Sequence, residues 1–360
     1  MKTPLYHHHL QLNGRMVEFA GWEMPVQYSG VVAEHLAVRQ RAGLFDVSHM
    51  GEFSFAGPQA LALLQYLTTN DVARLAPGQA HYSLILNEQG GIVDDIIVYR
   101  QGPEQFLMVV NAGNLEKDWH WVLAHNTNHA DVVNRSRETA LLALQGPAAA
   151  AILQPLTEIS LADLRRFHCA EAHIGSVAVT IARTGYTGSP GFELFCRSAD
   201  AGTLWQTLLE VGGAHGLMPC GLAARDTLRV EMAYPLHGHE ITDKTTPFET
   251  RLDWVVKMEK GDFFGREALL KQRAAGINRT LVGLQMVDPG IPRDGYTVLV
   301  GGKPIGFVTS GTMSPLLKKG IALAMMGIQH SAVGTKVSVD IRGKERQAEI
   351  VATPFVTPAT

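Results

Sequence analysis

Two adjacent carboxylates stand in the middle of an otherwise apolar run, Gly90-Gly91-Ile92-Val93-Asp94-Asp95-Ile96-Ile97-Val98-Tyr99. Successive side chains of a strand face opposite ways, so one of Asp94 and Asp95 points into whatever the strand covers. A strand interior disfavours Asp, and burying a carboxylate without partners is costly. Two readings stay open: a carboxylate that accepts backbone hydrogen bonds at a bulge, or one that binds or moves a proton on a nitrogen-containing ligand. A second segment, Arg183-Thr184-Gly185-Tyr186-Thr187-Gly188 with Glu193 further on, is a glycine loop between strands. It lacks the Lys-Ser/Thr pair and the G-x-G-x-x-G spacing of phosphate cradles, so it argues against a nucleotide, and Tyr186 suits the wall of a site for a flat ring. The third is Gly221-Leu222-Ala223-Ala224-Arg225-Asp226-Thr227-Leu228-Arg229-Val230-Glu231. If helical, Arg225 and Arg229 share one face. With Asp226 and Glu231 they make a solvated ionic face, or they form a fork for a substrate carboxylate.

The histidines call for no metal. His7-His8-His9 is a short run near the amino end, and His237-Gly238-His239-Glu240 lacks the H-E-x-x-H pattern of a zinc helix. No G-x-S-x-G nucleophile elbow is present. Asn134-Arg135-Ser136 and Asn278-Arg279-Thr280 are glycosylation-type triplets, without meaning unless the chain is secreted.

The elements that must position these residues follow from periodicity. Helical spacing covers 31–42, 58–69, 201–211 and 222–232, and Pro147 opens a short helix to about Leu153. Strand-like runs cover 81–86, 91–100, 105–110, 140–144, 177–182 and 193–196, with Asn87-Glu88-Gln89-Gly90-Gly91 as the turn of a hairpin. This alternation predicts an α+β fold rather than a parallel sheet. From about residue 279 the pattern becomes all-β. Runs at 281–287, 297–300, 305–309, 322–326, 336–341 and 347–351, broken by Gly301-Gly302 and Arg342-Gly343-Lys344, predict a small barrel or sandwich. A boundary is placed in Lys271-Gln272-Arg273-Ala274-Ala275-Gly276, dividing the chain into 1–275 and 279–357.

A chain of 360 residues exceeds what one core usually serves, which predicts two or three domains. A net charge of −3 with scattered basic residues argues against a nucleic-acid partner. No run reaches the roughly 18 apolar residues of a membrane helix, and the amino end carries no secretory h-region. Cys169, Cys196 and Cys220 lack metal-site spacing and read as buried thiols of a reducing, cytoplasmic compartment.

Taken in order, Phe19-Ala20-Gly21-Trp22-Glu23-Met24-Pro25, Phe45-Asp46-Val47-Ser48-His49-Met50-Gly51, the Gly-Gly-Ile-x-Asp-Asp strand, Leu144-Gln145-Gly146-Pro147, Arg183 to Gly188, the Ala-Arg-Asp-x-x-Arg segment, Pro247-Phe248-Glu249 with Trp254-Val255-Val256-Lys257, and Thr309-Ser310-Gly311-Thr312-x-Ser314-Pro315 resemble the T-protein family of the glycine cleavage system from end to end. The resemblance implies three domains in a cloverleaf around a central folate channel, with a C-terminal barrel-like domain. It implies a tetrahydrofolate-dependent aminomethyltransferase. The methylene group comes from an aminomethyl-dihydrolipoyl arm on the partner H-protein; 5,10-methylenetetrahydrofolate and ammonia are the products, and tetrahydrofolate is a co-substrate, with no metal and no nucleotide. Asp95 then matches the family's catalytic carboxylate, and Tyr82, Asp95, Tyr99, Asn111, Tyr186, Glu193, Arg225 and Tyr234 match positions that line the folate site. Two departures stand out. Relatives often end on a basic residue that meets the folate tail, whereas this sequence ends Pro354-Phe355-Val356-Thr357-Pro358-Ala359-Thr360; and Leu316-Leu317-Lys318-Lys319 replaces a usual Thr-Leu-Gly.

Three other functions compete. A folate-binding iron–sulphur assembly protein carries a lysine–glycine–cysteine–tyrosine type motif, and the matching stretch here has no cysteine. A demethylase-type folate domain needs a flavin partner that this chain, without G-x-G-x-x-G, does not supply. A non-catalytic folate store leaves Asp95 replaceable without loss of binding.

Overall fold

The apolar run Thr139–Gln145 is buried along almost its whole length because it sits inside a six-stranded sheet, flanked by strands on both edges. In this computed structural model, which describes residues 1–357, the sheet order is Cys169–Ile174, Val177–Ala182, Gly191–Arg197, Thr139–Gln145, Ala42–Asp46 and Leu217–Pro219. All neighbours are antiparallel except Leu217–Pro219, which runs parallel to Ala42–Asp46. Leu44, Leu142, Leu144, Phe192 and Leu194 pack with Ile152 and with Leu204, Trp205 and Leu208 of the helix Ala201–Gly213. That spacing is the buried stripe expected of an amphipathic helix lying on a sheet.

A five-stranded sheet follows the order Gln79–Leu86, Ile92–Gly102, Gln105–Val110, Gly51–Ala56 and Asp131–Asn134. Its first two strands are the expected hairpin. Gly90 takes φ +81°, and the Asn87 side-chain carbonyl accepts the N–H groups of Gln89 and Gly91 at 3.0 and 2.9 Å. A side chain with its own acceptor thus closes the turn that the glycine makes possible.

The C-terminal strands close into a barrel in the order Arg279–Met286, Lys319–Gly327, Lys303–Ser314, Thr297–Val300, Lys336–Asp340 and Glu345–Val351. Closure comes from Gly283–Met286 pairing with Val351–Ala348. Every second residue, Val282, Leu284 and Met286 on one strand and Ala322, Ala324 and Met326 on the next, fills the interior. The α+β class with a C-terminal all-β barrel is therefore the observed one.

The described residues divide into two compact units: Met1–Ser83 with Asp95–Arg225, and Leu84–Asp94 with 226–357. Lys271–Ala275, read from sequence as part of a boundary, is the end of the helix Arg266–Ala275, and Gly276 at φ +82° stops it. The short helix after Pro147 is Ala149–Leu153, starting two residues later than its proline suggested. Sequence periodicity also missed the helices Tyr6–Gln11 and Leu115–His125 and the hairpin Arg15–Phe19/Trp22–Gln27. Among the described residues no helix is long and apolar enough to cross a membrane.

Candidate active site

Of the two aspartates, Asp94 is fully buried and belongs to the second unit, while Asp95 is half-buried and belongs to the first. The hydroxyl of Tyr82, on the neighbouring strand, donates to Asp95 Oδ2 at 2.9 Å. Asn111, just past the strand on the other side, donates through Nδ2 to Asp95 Oδ1 at 2.7 Å and to the Asp95 carbonyl at 3.1 Å. The register makes this possible: Ile97 opposes Val109, so Asp95 falls opposite Asn111 on the same face of the sheet. Two donors from the flanking strands thus hold both carboxylate oxygens in place.

Two residues along the same face, Tyr99 is 1% exposed. Its hydroxyl lies 3.2 Å from Thr184 Oγ1 and 3.5 Å from Glu193 Oε2, and Thr184 donates to the same Glu193 oxygen at 2.5 Å. Burial, with the nearby Glu193 charge, pushes the Tyr99 phenol well above its usual range. Tyr99 is thus a fixed donor that orients Glu193.

The glycine loop is held open by a buried amide. Gln145 donates through Nε2 to the carbonyls of Thr184 and Phe192 at 3.2 and 3.4 Å and accepts from Thr187 Oγ1 at 2.9 Å. A Cβ on Gly185 would collide with that amide, which explains glycine there. Arg39 clamps the outer end of the loop by donating to Thr187 O at 2.5 Å and Ser189 Oγ at 3.1 Å. Tyr186, so positioned, carries the Arg225 guanidinium over its ring at 4.8 Å. This is cation–π distance. Desolvation pulls Arg225 below its ordinary value, opposed by Tyr186 and Glu193; a guanidinium stays charged regardless.

Arg225 and Arg229 do not act as a fork. Arg229 donates to Asp226 at 2.8 Å, Glu240 at 2.7 Å, Ser310 at 2.7 Å and the Tyr234 carbonyl at 3.2 Å, all in the second unit. Tyr234 belongs to that unit as well, and its N–H returns to the Arg229 carbonyl. The start of the Leu222–Glu231 helix is tied within the first unit. Glu34 Oε2 accepts the Gly221 N–H at 2.8 Å, while its Oε1 accepts from Tyr28, Ser29 and Gly30 at 2.6, 2.9 and 3.1 Å.

Tyr82, Asp95, Tyr99, Asn111, Tyr186, Glu193 and Arg225 thus all lie in one unit, in two bonded groups and a stacked pair. Sequence reasoning missed Thr184, Gln145 and Arg39. The one local signal was a glutamine ending an apolar strand. Among the described residues no group of three or more His, Cys, Asp or Glu side chains could hold a metal. His9 is a buried anchor, with Nε2 at 2.9 Å from Asp46 and Nδ1 at 2.8 Å from the Tyr28 hydroxyl. Burial works to raise Asp46, but the hydrogen bond and charge of His9 hold it below the usual carboxylate range. All three cysteines are unbridged and buried, and burial raises Cys169 to about 11 and Cys196 to about 12. They are inert thiols rather than nucleophiles. The residues past 357, including the end without a basic side chain, lie outside the described residues.

The family model for the GCVT N-terminal domain matches residues 5–260, and that for the glycine cleavage T-protein C-terminal barrel domain matches 279–357. The chain belongs to the glycine cleavage T-protein family. An aminomethyltransferase of Symbiobacterium thermophilum is 52% identical, over 98% of this chain and 96% of its own. Another, from Halalkalibacterium halodurans, is 50% identical over 98% of this chain and 97% of its own. The crystal structure of the glycine cleavage system aminomethyltransferase T from Bartonella henselae is 36% identical and superposes with a TM-score of 0.94, covering 100% of this chain and 99% of that one. As a T-protein family member the chain is an enzyme, an aminomethyltransferase of the glycine cleavage system, and the iron–sulphur assembly and demethylase readings are not favoured.

Proposed function

We propose that the wall formed by Asp95, Glu193, Tyr186 and Arg225 binds tetrahydrofolate, and that the aminomethyl group reaches it on the lipoyl arm of an H-protein. The observation that carries this reading is the half-buried Asp95 carboxylate, fixed on both oxygens by Tyr82 and Asn111. A reduced pterin presents N–H groups and a flat ring. Carboxylates match the first, and an aromatic ring with a stacked guanidinium matches the second.

In the transfer, two carbon–nitrogen bonds form from the methylene carbon to the two folate nitrogens. The carbon–sulphur bond and the original carbon–nitrogen bond break. The two protons leaving the folate nitrogens end on the arm's thiol and on ammonia. Asp95 is the group placed to accept a hydrogen bond from an attacking N–H and to ease its deprotonation. Tyr82 and Asn111 keep the carboxylate oriented for that role, Tyr99 and Thr184 do the same for Glu193, and Tyr234 is assigned to the folate site from the family resemblance. Residues 1–275 are taken as the folate-binding region and 279–357 as the barrel domain. Unbridged, buried thiols support work in a reducing, cytoplasmic setting.

Purified protein mixed with aminomethyl-loaded H-protein and tetrahydrofolate should release ammonia and methylenetetrahydrofolate in equal amounts. Folate binding without either product would withdraw both the transferase role and the assignment of Asp95.

A further inference from the structure

Two segments anchored on the strand Ala42–Asp46 meet again at the Glu34 carboxylate. The first is the loop Tyr28-Ser29-Gly30. His9 ties it to the strand, with Nδ1 at 2.8 Å from the Tyr28 hydroxyl and Nε2 at 2.9 Å from Asp46 Oδ2. The second is Leu217–Pro219 with the two residues after it. This strand runs parallel to Ala42–Asp46, and the Cys220 N–H donates to the Leu44 carbonyl at 2.9 Å. Glu34, fully buried in the first turn of the helix Val31–Gln40, joins the two. Its Oε1 accepts the three loop N–H groups, and its Oε2 accepts the Gly221 N–H. The circuit is closed, so Gly221 is fixed from both sides.

Gly221 immediately precedes the helix Leu222–Glu231. Its N–H goes to Glu34, and its carbonyl accepts the Arg225 N–H at 3.2 Å, which opens the helix ladder. Arg225 is therefore two hydrogen bonds from Glu34, across a single residue. A carboxylate at this end also suits the positive end of the helix dipole. A Cβ on Gly221 would come within 2.4–2.6 Å of the backbone of Val26 and Gln27, so the helix start is seated directly on the strand Trp22–Gln27. Tyr186 is set separately, through the glycine loop held by Gln145 and Arg39. A displaced helix start would thus carry the guanidinium away from a ring that does not follow it.

We propose that Glu34 is a positioning residue for folate binding, which acts by placing Arg225 over Tyr186. The assignment rests on the folate reading above. A long side chain keeps its aim only where the backbone that bears it is fixed by a supporting layer of hydrogen bonds. The group must be a carboxylate, because donors approach both of its oxygens. A glutamine would turn an NH2 toward either the loop or Gly221, donor against donor.

The test is a double-mutant cycle read by anaerobic titration with tetrahydrofolate: wild type, Glu34→Gln, Arg225→Ala and the double variant, with thermal unfolding of each. Glu34→Gln should weaken binding about fivefold, the scale of one misdirected hydrogen bond. In the Arg225→Ala background the same substitution should change affinity by less than about twofold, because no guanidinium is left to misplace. A carboxylate with a merely structural role gives other patterns. Wild-type affinity in folded Glu34→Gln, or an equal loss in both backgrounds, overturns the proposal. Should Glu34→Gln not fold, Glu34→Asp carries the same cycle, since a side chain one methylene shorter cannot reach the loop and Gly221 together. Should neither fold, the Gly221 N–H resonance should shift when the wild-type chain is saturated with tetrahydrofolate and stay in place when Arg225→Ala is saturated. A signal that moves in both chains, or in neither, overturns it. A wild-type chain that does not bind tetrahydrofolate removes the folate reading itself, which is a different result from binding indifferent to Glu34.

Discussion

The two units each contain an arginine, carboxylates and hydroxyl donors, arranged in opposite ways. In the second, Arg229 and Glu240 are 2% and 0% exposed and joined at 2.7 Å, and Glu240 also accepts from Thr309 Oγ1 at 2.6 Å and the Leu236 N–H at 3.0 Å. Arg229 closes its own set on Asp226, Ser310 and Tyr234. In the first, Asp95 and Tyr186 are half-buried, and the Arg225 guanidinium sits over the Tyr186 ring at 4.8 Å. The same residue types make a sealed brace in one place and an open wall in the other. At its centre the brace seals Arg229 and Glu240 from solvent, whereas the wall leaves Asp95 and Tyr186 half-buried.

Asp95→Asn should break the contrast most sharply: about 10²–10⁴-fold less turnover with an unfolding midpoint near wild type, measured by product release and urea titration. A variant with near-normal rate would move Asp95 to the structural side. Arg229→Ala should do the reverse. Removing one member of a buried pair leaves Glu240 uncompensated at a cost of about 3–5 kcal/mol, read as a fall in unfolding free energy, while chain that remains folded keeps its affinity for folate. His49 sharpens the comparison through pH. Its folded pKa of about 4 lies below the unfolded 6.5, so the unfolded chain takes up a proton that the folded ring refuses. Stability from this group is full above pH 6.5 and falls as pH drops toward 4, by about 3 kcal/mol. Unfolding free energies from urea titration at pH 7 and 4.5 should converge by about that amount in His49→Gln. Glu52 has the opposite sign: burial raises its carboxyl well above the usual value, both oxygens lack partners, and stability falls as pH rises past the ordinary Glu range. Arg225→Ala should show the smallest effect, about tenfold weaker tetrahydrofolate binding, in line with one cation–π contact and a lost donor, with little change in melting temperature.

The barrel was legible because a period of two survives in the order of residues: Val282, Leu284 and Met286 announce their face without reference to anything distant. The Asp94-Asp95 pair announced that a carboxylate was misplaced in an apolar strand, but not which one mattered. That depended on Tyr82 and Asn111 arriving on the same face of the sheet, a matter of register between strands. The Arg225/Arg229 spacing was read correctly as helical and still misled as a fork, since each guanidinium meets partners far along the chain: Tyr186 for one, Ser310 for the other. Gln145 left only the trace of a glutamine ending an apolar strand, and the role of Thr184 left none, because those roles rest on contacts 42 and 85 residues away in sequence, with Thr187 and Tyr99. The helix Leu115–His125 was passed over because Asp118 is one of the residues it buries, which blurs the apolar stripe.

The Glu34 carboxylate gathers three N–H groups from its own neighbourhood and a fourth from Gly221, 187 residues further along. A contact of that sequence separation closes a very long loop and is therefore among the slow events of folding. The amide of Gly221 sits one residue before the helix that carries Arg225. The arginine end of the wall thus acquires its aim only after distant parts of the chain have met, and in a refolding experiment folate affinity should return behind the bulk of the secondary structure.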